Sequence, residues 1–103
     1  MRLLLLLPLL LSLSLPALAD VGADCTWNGI TLKGKVQIVT SFADVKVQAV
    51  SSFPDVKVQL VSSFPDSCGK WQIVDSFPDF TIQYVSSFPD VKVQFVDSFP
   101  GVP

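Results

Sequence analysis

Apolar and polar positions alternate through short stretches of the chain, and the same turn interrupts them at regular intervals. Val56-Lys57-Val58-Gln59-Leu60 places an apolar side chain at every second position, the period of a strand with one buried face. Val45, Val47 and Ala49 repeat the pattern, as do Phe80, Ile82 and Tyr84, and Val91, Val93 and Phe95. A helix would need apolar residues three and four apart, and a proline arrives in most repeats. β-branched residues dominate, as strands favour.

The strands belong to a tandem repeat. Its units begin at Val39, Val50, Val61, Val74, Val85 and Val96, at spacings of 11, 11, 13, 11 and 11 residues. The consensus is Val, Ser/Thr/Asp, Ser, Phe, Pro, Asp, apolar, Lys, apolar, Gln, apolar. The first half of each unit is a turn: Ser and Asp bond local backbone, and Pro fixes φ at a turn's second position. Every turn carries a phenylalanine, at Phe42, Phe53, Phe64, Phe77, Phe88 and Phe99. An aromatic kept in every turn is expected to point inward and pack on its counterparts, so these six, with Trp71, form the expected repeat core.

Two stretches depart from the repeat. The unit starting at Val61 holds two extra residues, placed as Ser67-Cys68 at its turn, after which Lys70-Trp71-Gln72-Ile73 returns to register. Ahead of the repeats, Asn28-Gly29 lies between strand-forming residues, a hairpin signal. Lys33 to Ile38 reads as the tail of one further cassette.

An all-β domain of six to seven short strands follows. A closed meander barrel, a small β-solenoid and an entangled winding of the units all satisfy the pattern. The reiterated Ser-Phe-Pro/Ala-Asp-apolar-Lys-apolar-Gln-apolar-Val cassette, from about Cys25 to Val102, resembles the bacterial 7(1) septoil knot domain proteins. The resemblance implies a compact β domain whose backbone winds through a seven-crossing torus knot, and carries over no site residues.

The beginning of the chain changes the setting. Arg2 precedes a leucine-rich run over residues 3–15, and Ala17-Leu18-Ala19 supplies small residues where a signal peptidase reads. A signal peptide over residues 1–19 is expected, then a short polar lead (20–24) and a single repeat-built domain (25–103). As a membrane anchor the apolar run is too short: about 13 residues at 1.5 Å rise fall well under the roughly 30 Å of a bilayer core. No stable membrane insertion is expected after cleavage, and the protein is read as exported, periplasmic or extracellular. Two cysteines in such a chain read as one disulfide, Cys25–Cys68.

Composition removes most chemistry. From residue 20 onward there are six Lys and nine Asp, with no Arg, His or Glu. That acidic balance, with no basic cluster, excludes nucleic acid as a partner. A serine nucleophile lacks an imidazole, and every Lys and Asp of the repeats sits in a repeated slot, whereas catalytic groups need one tuned environment. No catalytic residue, metal site or cofactor is expected. The aspartates lack the glycine-rich spacing of calcium loops and read as turn caps. The outward row of Lys46, Lys57, Lys92, Gln48, Gln59, Gln83 and Gln94 is a solvated strand face or, functionally, a polar surface for a protein or glycan partner. The sequence thus indicates a non-enzymatic exported structural or binding module, or alternatively a self-associating assembly unit using strand edges.

Overall fold

The computed structural model describes residues 21–103; the expected signal peptide lies outside the described residues. Among the described residues all regular structure is β. A hairpin of β1 (Thr26–Trp27) and β2 (Ile30–Thr31) precedes β3 (Gly34–Ile38), β4 (Val45–Ala49), β5 (Val56–Leu60), β6 (Lys70–Ile73), β7 (Phe80–Tyr84) and β8 (Val91–Phe95). The hairpin pairs Thr26 with Thr31 and Trp27 with Ile30. Asn28 and Gly29 both take positive φ at its turn, the geometry that an Asn-Gly pair adopts most readily.

The other six strands close into a barrel in the order β3-β6-β5-β8-β4-β7. Every pairing in it is parallel. Consecutive parallel strands of one sheet usually need a crossover of about a dozen residues or more, yet residues 39–44 suffice between β3 and β4. The stagger explains how. The third residue of one strand faces the first of the next, as in Val36 with Phe80, Ile82 with Val45, and Val47 with Val91. Two residues of rise, about 6.6 Å, against about 4.8 Å between strands, tilts each strand by roughly 55°. Barrels more usually tilt by about 35–45°. A strand this oblique travels around the barrel as it descends, so a short turn can return it to the top.

The connections follow one rule. Gly101 bridges Lys57 of β5 and lies against Gly69 at the start of β6, so the chain's end enters as a seventh position at the upper end of the β5–β6 seam, below which those two strands pair directly. Counting that position, β3 to β4, β4 to β5, and every later connection moves the chain two positions in the same sense. Each turn therefore crosses one strand: residues 39–44 cross β7, 50–55 cross β8, 74–79 cross β3, and 85–90 cross β4. One more step from the chain's end would return to β3, where the amino-terminal hairpin and the Cys25–Cys68 disulfide lie. Seven steps of two positions take a closed path twice round the axis, the winding of a seven-crossing torus knot. Neither a meander barrel nor a solenoid has this order.

The interior is narrow. It holds Val36, Val45, Val47, Val56, Val58, Ile82, Val91 and Val93 with Phe80 and Trp71, and Cys25 and Leu32 from the amino-terminal segment complete it. Trp71, the largest, faces Gly34 across the β3–β6 pairing and meets Phe80 edge-on at 5.6 Å. Its indole Nε1 donates to the Leu32 carbonyl at 3.1 Å, satisfying the polar atom that burying a tryptophan brings.

Two expectations need correction. The repeat phenylalanines are not core: all six are 81–100% exposed. Each has φ between 53 and 55°, a left-handed backbone that turns the side chain away from the strand beneath it. The third alternating position of each strand also fails to reach the interior. Ala49, Leu60, Tyr84 and Phe95 are exposed at the strand ends, because strands this oblique leave the barrel after two inward residues.

Candidate functional site

The polar slots of the repeat tie each turn to the strand it crosses. Asp79, ending the turn over β3, donates its N–H to the Lys35 carbonyl at 2.7 Å, and its Oδ2 accepts the Lys35 N–H at 2.8 Å. Asp90 does the same with Lys46 of β4, and Asp55 with Lys92 of β8. Asp44 meets Thr81 of β7, its N–H donating to the threonine Oγ1 and its carboxylate accepting the Thr81 N–H. In each case the carboxylate satisfies a strand N–H left over where the ladder begins. Gly101 replaces aspartate at the chain's end and exchanges two backbone bonds with Lys57. The aspartates thus cap strands 37–44 residues away rather than their own turns.

The glutamines grip from the other direction. Gln37, Gln48 and Gln59 point outward, and their Nε2 groups donate to the carbonyls of Asp75, Ser86 and Asp97 at 3.0–3.1 Å. Those carbonyls belong to the turns over β3, β4 and β5, so the turns lie on the outer face. Of the expected interaction row, Gln48 and Gln59 are therefore engaged within the fold. Gln83 and Gln94 are half-buried, Lys57 is half-buried, and Lys46 and Lys92 are exposed. The row is not a free, flat polar face.

The turn phenylalanines are what the repeat leaves over. A bulky residue in the left-handed region is an outlier and costs of the order of 1 kcal/mol. Here it occurs six times, and the rings gain almost no burial in return. The step rule places them round the barrel: Phe77 over β3, Phe88 over β4, Phe42 over β7, Phe53 over β8, Phe99 over β5 and Phe64 over the chain's end. Only the sector over β6 lacks one, and the hairpin and disulfide lie there. Six phenyl groups at about 150–250 Å² each amount to far more apolar surface than a typical largest monomer patch of about 300–600 Å², although it is divided into separate knobs. The repeat had marked these residues out; what it could not show was which way they face.

Two concavities accompany this ring. The larger, about 540 Å³, lies between the hairpin and the irregular unit and is lined by Gly29, Ile30, Lys33, Pro65, Asp66 and Asp79, among others. A smaller one of about 260 Å³ lies at the end of β5. Among the described residues no three His, Cys, Asp or Glu side chains are grouped to hold a metal ion. Titration is perturbed at Asp24, where the Thr26 hydroxyl at 2.7 Å holds the carboxyl below its ordinary value. Burial raises the Tyr84 phenol.

A closed parallel barrel, wound by steps of two and tied at its crossings by repeated Asp and Gln contacts, defines a small torus-knotted β domain. The family model of the 7(1) septoil knot domain matches residues 29–103. The chain belongs to that family. No curated protein matches it.

Proposed function

We propose that the protein is a non-enzymatic, exported structural or binding module whose presented surface is the ring of turn phenylalanines. The observation that carries this reading is the conjunction of strain and exposure at Phe42, Phe53, Phe64, Phe77, Phe88 and Phe99. Backbone strain retained without folding gain marks a functional constraint. The capping aspartates and the three bonded glutamines, by contrast, are engaged in holding the winding together. A rigid scaffold that displays one aromatic several times suits multivalent attachment, where separately weak contacts add up. The disulfide and the export signal read from the sequence support a setting outside the cytoplasm.

The experiment compares the exported chain with a variant carrying Phe→Ser at all six turns. The native chain should sediment with envelope or extracellular material of the producing cells and be retained on a phenyl matrix. The variant should keep its circular dichroism and lose both. Equal binding by the variant would remove the phenylalanines from the interface. A hydrolytic activity abolished by changing one serine or aspartate would replace the reading altogether. Association through strand edges, the other sequence-based expectation, finds no support in β3–β8, because a closed barrel has no free edge.

A further inference from the structure

The barrel has two unlike ends. Where its strands begin lie the amino-terminal hairpin, the Cys25–Cys68 disulfide and the capping aspartates, and Lys35, Lys46, Lys57 and Lys92 stand second in their strands. At the other end Ile38, Leu60, Ile73, Tyr84 and Phe95 close their strands and are 39–53% exposed. Among the described residues the charged side chains on that side are Asp75 and Asp97, each second in its turn. The turn phenylalanines lie between the two ends. Asp75 meets Gln37 and Asp79 meets Lys35, which seats Phe77 over the middle of β3. Phe88 sits likewise over β4, between the Ser86 and Asp90 contacts, and Phe99 over β5. The two-residue stagger and the tilt it produces bring equivalent positions of neighbouring strands to one height, so the knobs form a ring across the axis. A surface beside the barrel touches two or three of them. Only a surface that takes in the strand ends reaches all six.

We propose that this end docks on a lipid surface, the barrel standing upright with its strand ends and phenyl ring at the boundary of headgroups and acyl chains. The proposal rests on the turn phenylalanines being the presented surface and names their partner. Two features favour lipid over a folded protein. Six rings on separate turns would need six matching recesses in a protein, whereas fluid acyl chains close round each. The side that bears the strand ends is also nearly free of charge, while the lysines and the other aspartates stand toward water. Ser51, Ser52, Ser86 and Ser87 are exposed beside the rings and hold water or headgroups, which limits the depth to the roughly 5–10 Å of interfacial elements. The barrel does not cross: five residues tilted by about 55° rise about 10 Å, against roughly 30 Å of hydrocarbon. With nine Asp against six Lys from residue 20 onward, the attraction is apolar and favours uncharged over anionic lipid.

The probes are phosphatidylcholine vesicles, with and without phosphatidylglycerol. The native chain should sediment with phosphatidylcholine vesicles, undiminished at high salt, and less once phosphatidylglycerol is added. Replacing one turn phenylalanine at a time by Ser should weaken binding about tenfold, by a similar factor at each of the six turns. Asp75→Ser with Asp97→Ser, which gives these turns the residue found at Ser51 and Ser86, should strengthen it. In bicelles with a nitroxide on the acyl chain, the amides of Ile38, Leu60 and Tyr84 should broaden and those of Thr26–Thr31 should not. A Ser variant that loses its circular dichroism is replaced by Phe→Gly, which suits the left-handed backbone. Failure to bind phosphatidylcholine, losses confined to two or three neighbouring turns, or broadening at the hairpin overturns the proposal. If the chain ignores vesicles yet still needs its phenylalanines to bind envelope material, the lipid partner fails while the presented surface stands; if it binds neither, both fail.

Discussion

Replacing Phe53 by Ala tests the central reversal between the repeat pattern and the fold. The ring of Phe53 is 91% exposed, so truncation removes almost no packing. Burial lost, at about 25 cal/mol per Å², applies to less than a tenth of the side chain, and the expected change in stability is under about 0.5 kcal/mol. Were the phenylalanine a core residue, Phe→Ala would cost about 3–5 kcal/mol. Phe53→Gly goes further. At a φ of 53° glycine relieves about 1–2 kcal/mol of left-handed strain and gives back about 0.5–1 kcal/mol through the freer unfolded chain. It should therefore be neutral to stabilising, by up to about 1.5 kcal/mol. Urea unfolding, approached from the folded and the unfolded side, reads both. With a slope near 1 kcal/mol per molar for a small domain, a core residue would shift the midpoint by about 3 M or more, and the exposed one by about half a molar at most. A large loss for Phe53→Ala would refute the outward orientation.

Asp90→Ala removes the carboxylate that accepts the Lys46 N–H and should cost about 1.5 kcal/mol by the same assay, the low end for a charged hydrogen bond because water can reach the site; Asp90→Asn, which keeps an acceptor, should cost less, and equal losses would count against the cap. Replacing both Cys25 and Cys68 by Ser opens a linkage across 43 residues and should lower stability by about 4 kcal/mol while cross-strand contacts between β3 and β7 persist in NMR spectra; their loss would show that the disulfide, not the winding, holds the barrel. The depressed pKa of Asp24 means that any stabilisation it gives is present above its unfolded pKa and fades as pH falls through the folded one. Thr26→Val should move its NMR titration midpoint upward, and an unmoved midpoint would dismiss the hydroxyl as the cause.

The strands were legible because alternation is a local signal. Val45, Val47, Val56, Val58, Ile82, Val91 and Val93 could be assigned inward from spacing alone, and all are buried. The hairpin at Asn28-Gly29 was legible for the same reason. The order of the strands was not, because near-identical units give no cue to which neighbour each will pair with. The phenylalanines misled because apolarity says nothing about φ: side-chain chemistry suggested burial, and a left-handed backbone, present even at Phe42 where alanine follows, decided otherwise. Gln59 and Asp90 looked like generic surface and turn residues. Their partners, Asp97 and Lys46, lie 38 and 44 residues away and are found only once the crossings are known.

The step of two carries a consequence for how such a chain can change length. A path that advances two places at a time visits every place only when the number of places is odd. With one repeat more or one fewer, the path would regain its starting place after a single circuit, and the next strand would fall on a site already filled. Tandem duplication of a lone 11-residue unit is therefore barred by parity, and growth of this architecture has to proceed by pairs of units.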